Sequence, residues 1–559
     1  MTSLPTDGII NWSKVPFESL ETNGRLSART QKTIVNNFES YIAKIQRLGY
    51  DSISIDDLAH MAQLPVYPDN LQLLLNDYRS LYKQLFAIAS SQSLRIFVNT
   101  DYLFSNQVID DYIAANKLTP EQFFTQTIEQ VIADFPEIDG IILRIGENDG
   151  QDVSDAFLST LTLRTPQQAN HLLHTLLPLF EQRKKTLIFR TWTVGAYAIG
   201  DLIWNSKTYD AVFSDITSDA LIISMKYGDT DFMRHLALNP LLLHGPHKKI
   251  VELQTRREWE GMGTMASFVG WDYMEYLQQL HTNDSVVGIH VWCQTGGWAK
   301  AAWSNITYGQ NSSFWNELNT EITIAITRHG ASVEAAIESF CKARGITDVA
   351  SFTELLTLSE IAIKNGLYVA DIATRPLYFR RTRIPPLLWI TWDKIHLPAI
   401  VISIHQLLLT RSNHFIADGD EAVRASKQMA DIAHTIALPK PVITSLHFQH
   451  DTLDILATLR RHVLHGLPPD ELTALNERIQ QYTTTYPQHY TIEPLSPTPI
   501  RRIPKSLVNL FVRDTQPYRM RDKVVLKTSS IQAKVVAMYL KRTRSHLATQ
   551  SMGLGTLFK

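Results

Sequence analysis

Eight short runs of aliphatic and β-branched residues alternate with amphipathic helical stretches, and this alternation constrains the fold more than any other feature. The candidate strands are 8–12, 52–55, 95–100, 140–145, 186–192, 220–227, 249–255 and 286–292. Between them, stretches such as 33–49 and 167–183 repeat apolar residues at three- and four-residue spacing, which buries one helix face. Strands that alternate with helices pair in parallel through right-handed crossovers. Eight such strands within roughly 300 residues predict a (β/α)8 TIM barrel.

A doubly wound open sheet is the competing fold. A dinucleotide-binding version of it is disfavoured because no G-x-G-x-x-G follows the first strand. Beyond residue 313 the pattern becomes mostly helical, so we predict a barrel over 1–312, a helical domain over 313–495 and a basic extension over 496–559. The last 59 residues, 501–559, hold 13 Lys and Arg against two Asp. We interpret them as a basic surface packed on the rest, with a nucleic-acid patch as the alternative.

Composition narrows the classes of protein and partner. The chain has 53 basic and 55 acidic residues, so no net field favours nucleic acid or a membrane surface. Its two cysteines, Cys293 and Cys341, form no C-x-x-C pair and no metal-type spacing, which fits a reducing compartment. We therefore expect a cytoplasmic protein with no signal peptide, no cofactor and no metal. His290 on the last strand has no partner histidine at metal-ligand spacing, and we interpret it as a core residue.

Charged and aromatic residues follow the fourth to eighth strands. Active sites of (β/α)8 barrels form at these carboxyl ends. The residues are, in chain order, Arg144, Glu147, Asp149, Arg190, Trp192, Lys226, Asp229, Asp231, Glu252, Glu258, Trp292 and Trp298. Singly, a carboxylate after a strand is usually a cap or turn residue, and a tryptophan in a strand is usually core. Together they suit a glycosidase, in which two carboxylates drive cleavage and aromatic faces cover the sugar.

Three cations in this set have two possible roles. Arg144, Arg190 and Lys226 end neighbouring strands and would bind a substrate carboxylate by charge-assisted hydrogen bonds. They would equally neutralise the catalytic acids. Spacing alone does not separate the two roles.

Two segments carry a resemblance to a known family. Lys226-Tyr227-Gly228 with Asp231-Phe232, and then Glu252-Leu253-Gln254 with Glu258-Trp259 and Gly261, resemble the I-K-Y-G-x-x-D-F and E-F-Q-x-x-x-E-Y-x-G runs of glycoside hydrolase family 67, the bacterial α-glucuronidases. The resemblance covers roughly residues 137–300. It implies an inverting hydrolase in which Asp231 and Glu258 are the bases. It also implies that Lys226 and Arg190 contact the substrate and that the helical region forms a homodimer.

The chain departs from the family at the acid loop. The family's K-A-N-S-E-G-Q is replaced by R-I-G-E-N-D-G-Q over 144–151, with one extra residue, so the acid is Glu147 or Asp149. We favour Glu147, which lies closer to the strand and has the longer side chain. Arg144 replaces a lysine, a change from a point charge to a planar fork. The first strand is predicted at 8–12, which leaves no space for the family's N-terminal β-domain. The identity of the substrate sugar is therefore left open.

Two functions of different classes follow. The first is an inverting glycoside hydrolase that acts on a small uronic-acid-bearing oligosaccharide, with Trp192, Trp292 and Trp298 beside the substrate. The second is a carbohydrate-binding barrel that has lost catalysis, suggested by the altered acid loop. A metal-dependent hydrolase is a weaker third possibility.

Overall fold

A computed structural model describes most of the chain between residues 17 and 495. The described residues are 17–146, 156–159, 161–193, 195, 197–293, 314–379, 381–387, 389–391, 394–395, 397, 399–409, 414–495 and 512–513. The predicted first strand, at 8–12, and most of the predicted basic extension lie outside them.

The first half of the described chain alternates strands and helices. Its strands are β1 (Ser52–Asp56), β2 (Arg95–Asp101), β3 (Phe104–Ser105), β4 (Ile138–Arg144), β5 (Leu158–Ser159), β6 (Thr186–Arg190), β7 (Leu221–Lys226), β8 (Lys249–Gln254) and β9 (Val286–Trp292). Its helices are α1 (Ala28–Leu48), α2 (Asp69–Ser91), α3 (Gln107–Ala115), α4 (Pro120–Asp134), α5 (Pro166–Arg183), α6 (Ser206–Phe213) and α7 (Gly270–Leu280). Short 3-10 helices cover Phe17–Leu20, Leu58–His60 and Pro240–Leu243.

Seven of these strands form one parallel sheet in the order β1-β2-β4-β6-β7-β8-β9. They correspond to the second through eighth predicted strands, so a parallel α/β architecture is confirmed. The sheet is curled, and its two edge strands approach each other, since Ser54 Oγ of β1 lies 3.1 Å from His290 Nε2 of β9. The sheet is thus a curled, barrel-like sheet of seven described strands. Closure by the strand at 8–12 stays a prediction.

Side-chain alternation gives the inside of the curled sheet two zones. Phe97, Ile142, Ile188 and Ile250 form an apolar cluster of their own, apart from the main core. Because a strand repeats its facing every two residues, the positions two further along also point inward. Three of them are Arg144, Arg190 and Glu252. The inside is therefore apolar at depth and charged towards the carboxyl ends of the strands.

Two of the outer helices begin with the same local signal. The start of α4 and of α5 has the sequence Thr-Pro-x-Gln, in which the threonine (Thr119 or Thr165) is the N-cap and the proline is the first helical residue. The glutamine side chain accepts from the N-cap backbone N–H while the threonine oxygen accepts from the glutamine backbone, a reciprocal capping box. These caps fix the residue at which each helix starts.

The second half is mostly helical, as predicted. Its helices are α8 (Phe314–Thr327), α9 (Val333–Arg344), α10 (Val349–Gly366), α11 (Ala370–Ala373), α12 (Ala399–Leu408), α13 (His414–Thr435), α14 (Lys440–His465) and α15 (Pro469–Thr485). Two-residue strands intervene: β10 (Tyr378–Phe379), β11 (Thr382–Arg383), β12 (Ile390–Thr391), β13 (Lys394–Ile395), β14 (Thr491–Ile492) and β15 (Val512–Arg513). None of the helices in the described ranges combines the length and apolarity that a bilayer span requires. The predicted boundaries at 312 and 495 stay predictions.

Buried ion pairs join the two halves. Arg234, in the loop after β7, contacts Asp272 of α7 at 2.7 Å and also Glu360 of α10. Arg234 is 1% exposed, so these carboxylates compensate a charge that is out of water. Burial lowers the pKa of Arg234, but the charges of Asp272 and Glu360 outweigh it and the net pKa is raised. The helical region is thus held firmly against the barrel-like half.

Candidate active site

A fully buried carboxylate organises the carboxyl ends of β6 to β9. Glu252 on β8 accepts from Arg190 of β6 in a bidentate pair, Nε to Oε1 at 2.9 Å and Nη2 to Oε2 at 2.8 Å. Ser224 of β7 donates to Oε1 at 2.7 Å, and the Trp292 indole of β9 donates to Oε2 at 3.2 Å. The Arg190 guanidinium also lies 4.6 Å from the centre of the Trp292 ring. Four neighbouring strands are therefore connected through one side chain.

The charge on Glu252 is stabilised by its surroundings. Burial alone would raise the pKa of this carboxyl, but the charge and hydrogen bonds of Arg190, followed by Lys226 and His290, lower the pKa to about 2. A residue with this pKa is ionised at neutral pH and does not serve as a proton donor. Burial also lowers the pKa of His290, to about 4, so its imidazole is neutral.

Asp231 lies just beyond β7, in contact with the lysine that ends the strand. The Lys226 ammonium donates to Asp231 Oδ1 at 2.7 Å. The ammonium also sits 3.5 Å from the centre of the Trp192 ring and 4.5 Å from that of Phe232, which are cation–π distances. Lys226 is nearly buried, whereas the Asp231 side chain is 19% exposed. The carboxylate is thus reachable from the mouth while its partner lysine is fixed.

Glu258 lies in the loop after β8 and is half-buried. Its backbone N–H donates to the side-chain oxygen of Gln254, the last residue of the strand, at 3.0 Å. Burial lowers the pKa of the neighbouring Arg256 guanidinium to about 10, with the charge of Glu258 acting in the opposite direction. Because β7 and β8 are adjacent and parallel, Asp231 and Glu258 follow neighbouring strands at the same edge of the sheet.

Residues of the helical region hold the loop that carries Glu258. Tyr490 accepts the backbone N–H of Gly261 at 2.7 Å and donates its hydroxyl to the carbonyl of Trp259 at 3.1 Å. Gly261 has φ +80, a conformation that favours glycine. Inside the loop, Arg257 Nε donates to buried Glu260 at 2.9 Å. This loop is therefore fixed from within and from the helical half.

A second contact from the helical region reaches the loop after β7. Arg383 of β11 forms an ion pair with Asp229, and the Tyr378 hydroxyl of β10 lies 3.5 Å from the same carboxylate. Tyr378 packs against Trp204, with Trp192 beside them. Both loops that carry the proposed bases thus touch residues more than 100 positions away in sequence.

Arg144 belongs to a separate charged cluster at the ends of β1, β2 and β4. It binds Asp101 through Nε at 2.8 Å and Nη2 at 3.2 Å, and it lies 3.2 Å from Asp56. Ser159 of β5 donates to Asp101 at 2.9 Å. Arg144 and Arg190, which the sequence left as either substrate clamps or partners of acids, are thus both paired with carboxylates of the sheet.

The structure describes some of the predicted site residues and not others. Arg190, Lys226, Asp231, Trp192, Glu258 and Trp292 lie at the carboxyl ends of β6 to β9. Glu147, Asp149 and Trp298 lie outside the described residues, so the acid assignment stays a prediction. The sequence did not reveal the pairing role of Glu252, nor Asp56 and Asp101 beside Arg144. Their positions at the ends of β1 and β2 would have been the available signal.

The described residues at this mouth include no cluster of metal ligands. Within the described ranges, no three or more His, Cys, Asp and Glu side chains gather as metal ligands would. The His290 Nε2 atom is hydrogen-bonded to Ser54 Oγ, and the His290 ring lies close enough to Glu252 to feel its charge. The chemistry available to the described residues is therefore that of carboxylates, cations and aromatic rings.

No protein-family model and no curated protein matches this chain. Among solved structures it is similar to a GH138 enzyme targeting pectin rhamnogalacturonan II, at 12% identity and a TM-score of 0.47, over 86% of this chain and 62% of that one. A mutant of the Thermobaculum terrenum O-GlcNAc hydrolase matches at 10% identity and TM-score 0.39, over 90% and 93% of the two chains. D-Psicose 3-epimerase from Clostridium cellulolyticum H10 matches at 12% and 0.29, over 53% and 94%. Similarities this low carry no argument about activity, which rests on the site alone.

Proposed function

We propose that this protein is an inverting glycoside hydrolase that cleaves a small uronic-acid-bearing oligosaccharide in the manner of an α-glucuronidase. The observation that carries the proposal is that Asp231 and Glu258 lie in the loops that follow the adjacent parallel strands β7 and β8. A lysine and a tryptophan ring lie in contact beside Asp231. The resemblance of this same segment to the family 67 motifs supports the choice of substrate class.

In the proposed reaction, the acid on the loop after β4 protonates the leaving oxygen while a base activates water on the opposite face of the sugar. Glu147 is the acid, with Asp149 as its alternative, and Asp231 and Glu258 are the bases. Water adds to the anomeric carbon as the glycosidic bond breaks through an oxocarbenium-like transition state, which inverts the anomer. The attacking water loses its proton to the base.

The cations have different proposed roles. Lys226 ends β7 beside Asp231, and its nearly buried ammonium is proposed to contact the substrate carboxylate by a charge-assisted hydrogen bond. Arg190 acts mainly through Glu252, whose bidentate pair keeps the guanidinium and the Trp292 ring in place. Trp192 and Trp292 present aromatic faces to the sugar, as we propose for Trp298. Arg144 lies in the cluster with Asp101, further along the same mouth.

The test compares carboxamide variants on a panel of uronic-acid-bearing and neutral glycosides. Removing a general acid or base lowers turnover by about 10²–10⁴-fold, so Asp231→Asn and Glu258→Gln should each fall in that range with the fold intact. Asp219→Asn is the matched control, because Asp219 lies before β7 at the opposite end of the strand and is 96% exposed. Full activity in both site variants contradicts the assignment. Binding of the sugars without turnover by the wild type supports the carbohydrate-binding alternative.

A further inference from the structure

Two exposed histidines of the neighbouring helices α13 and α14 lie side by side in the helical region, outside the candidate active site. His434 lies in the last turn of α13, and His447 lies in the first half of α14. Their Nε2 atoms are 3.5 Å apart and their ring centres are 5.7 Å apart. Both side chains are open to solvent. We propose that this pair binds one divalent transition-metal ion of the Zn²⁺, Ni²⁺ or Cu²⁺ class.

The separation of the two nitrogens supports a shared ion over a direct hydrogen bond. N–H···O hydrogen bonds cluster near ~2.9–3.0 Å, and by that measure 3.5 Å is long for a direct hydrogen bond between the two rings. A tetrahedral ion with metal–nitrogen bonds of about 2.0–2.1 Å holds two imidazole nitrogens roughly 3.4 Å apart. His434 and His447 are therefore already near the spacing that such an ion requires.

The two helices that carry the pair pack against each other, which favours a preformed site. Ala433 and Leu446, the residues next to each histidine, are fully buried, and α13 and α14 pack along each other in a seam. One turn further along, His450 of α14 lies 3.0 Å from Ser426 of α13. The seam thus fixes the distance between the helices, and the two histidines stand at its exposed edge.

The chemistry of the ligands selects the ion. Imidazole nitrogens suit Zn²⁺, Ni²⁺ and Cu²⁺, whereas Mg²⁺ prefers oxygen ligands. Two protein ligands leave the remaining coordination positions to water. An ion in this place links the end of α13 to α14, and by binding the folded state alone it stabilises the helical region.

The experiment titrates Zn²⁺ and Ni²⁺ salts into the full chain, without a polyhistidine tag, by isothermal titration calorimetry, with Mg²⁺ as the control ion. Each of His434→Ala and His447→Ala should weaken the tightest site by about tenfold or more, on the scale seen when metal-site partners are removed. His171→Ala, which removes an exposed histidine of α5, should leave it unchanged. Circular dichroism checks that every variant is folded.

Thermal unfolding gives an independent readout. Saturating Zn²⁺ should raise the melting midpoint of the wild type and of His171→Ala, and should do so much less in the His434→Ala and His447→Ala variants. Equal affinities in all variants, or no binding by the wild type up to ~1 mM metal, would overturn the proposal. A loss of binding in only one of the two site variants would also overturn it, because both ligands are required.

Discussion

Replacing Arg190 by methionine removes the cation that compensates the buried Glu252 charge. The pKa of Glu252 is about 2, against 4.5 for an ordinary glutamate. At about 1.36 kcal/mol per unit, this difference corresponds to ~3 kcal/mol in favour of the charged form. Breaking a buried ion pair by removing one partner typically costs about 3–5 kcal/mol. Both arguments predict that Arg190→Met lowers the free energy of unfolding by about 3–5 kcal/mol at neutral pH.

The pH dependence of this loss identifies its cause. In the wild type the depressed pKa of Glu252 contributes stability above pH 4.5, and that contribution is lost as pH falls towards 2. Without Arg190, burial raises the pKa of Glu252 above its unfolded value, so the variant becomes less stable as pH rises. The difference between wild type and Arg190→Met should therefore be largest at pH 7. It should shrink as pH falls, first because Glu252 of the variant becomes protonated and then, between about pH 4.5 and 2, because the wild type loses its own contribution.

Urea unfolding of the full chain, followed by tryptophan fluorescence, measures the effect. The double variant Arg190→Met with Glu252→Gln leaves no unpaired charge and should be more stable than Arg190→Met alone at pH 7, by about 1–3 kcal/mol. Arg183→Met is the control, because Arg183 forms an exposed pair with Glu129 worth less than about 1 kcal/mol. Equal stability of the single and double variants, or a loss no larger than that of the control, refutes the reasoning.

Three further predictions concern positioning, pH and packing. Tyr490→Phe removes the hydroxyl that holds the loop after β8. It should lower kcat of the proposed reaction about tenfold with little change in KM, since a small misplacement of a catalytic group slows the chemical step. An unchanged kcat argues against this role. His290→Asn should flatten the rise of stability with pH between about 4 and 6.5, because the folded pKa of His290 lies below its unfolded value; an unchanged pH profile of urea unfolding contradicts this. Gly140→Ala should destabilise the chain by several kcal/mol, because a Cβ at this position would overlap the backbone of β6. Losses above about 4 kcal/mol are exceptional for single substitutions. Gly288→Ala, whose Cβ meets its nearest neighbour at 3.7 Å, should stay within ~0.5 kcal/mol in the same urea titration.

The strands could be predicted from sequence because their signal is local. Runs such as Leu221–Lys226 and Val286–Trp292 are short, mostly apolar and bounded by turn residues, and each appears where the pattern places it. Their parallel order follows from the crossover connections between the strands, most of which contain an α-helix. The expectation that charged residues meet at the carboxyl ends then follows from topology alone, without knowledge of any side-chain contact.

The pairing of charges could not be predicted, because it depends on curvature and register. Arg190 binds Glu252 across an intervening strand, which requires the sheet to curl and Ser224 to leave space between them. Asp229 is held by Arg383, 154 residues further on. Neither relation leaves a periodic trace in the sequence. Sequence spacing therefore leaves both proposed roles of the arginines open.

The stereochemistry of cleavage tests the central claim most directly. NMR spectra recorded during incubation with an α-linked glucuronosyl oligosaccharide would follow the released uronic acid. We predict that its β-anomer appears first and then equilibrates, and that the matching neutral glycoside is not cleaved. First appearance of the α-anomer, equal cleavage of the neutral glycoside, or no release from any uronic-acid substrate would contradict the account.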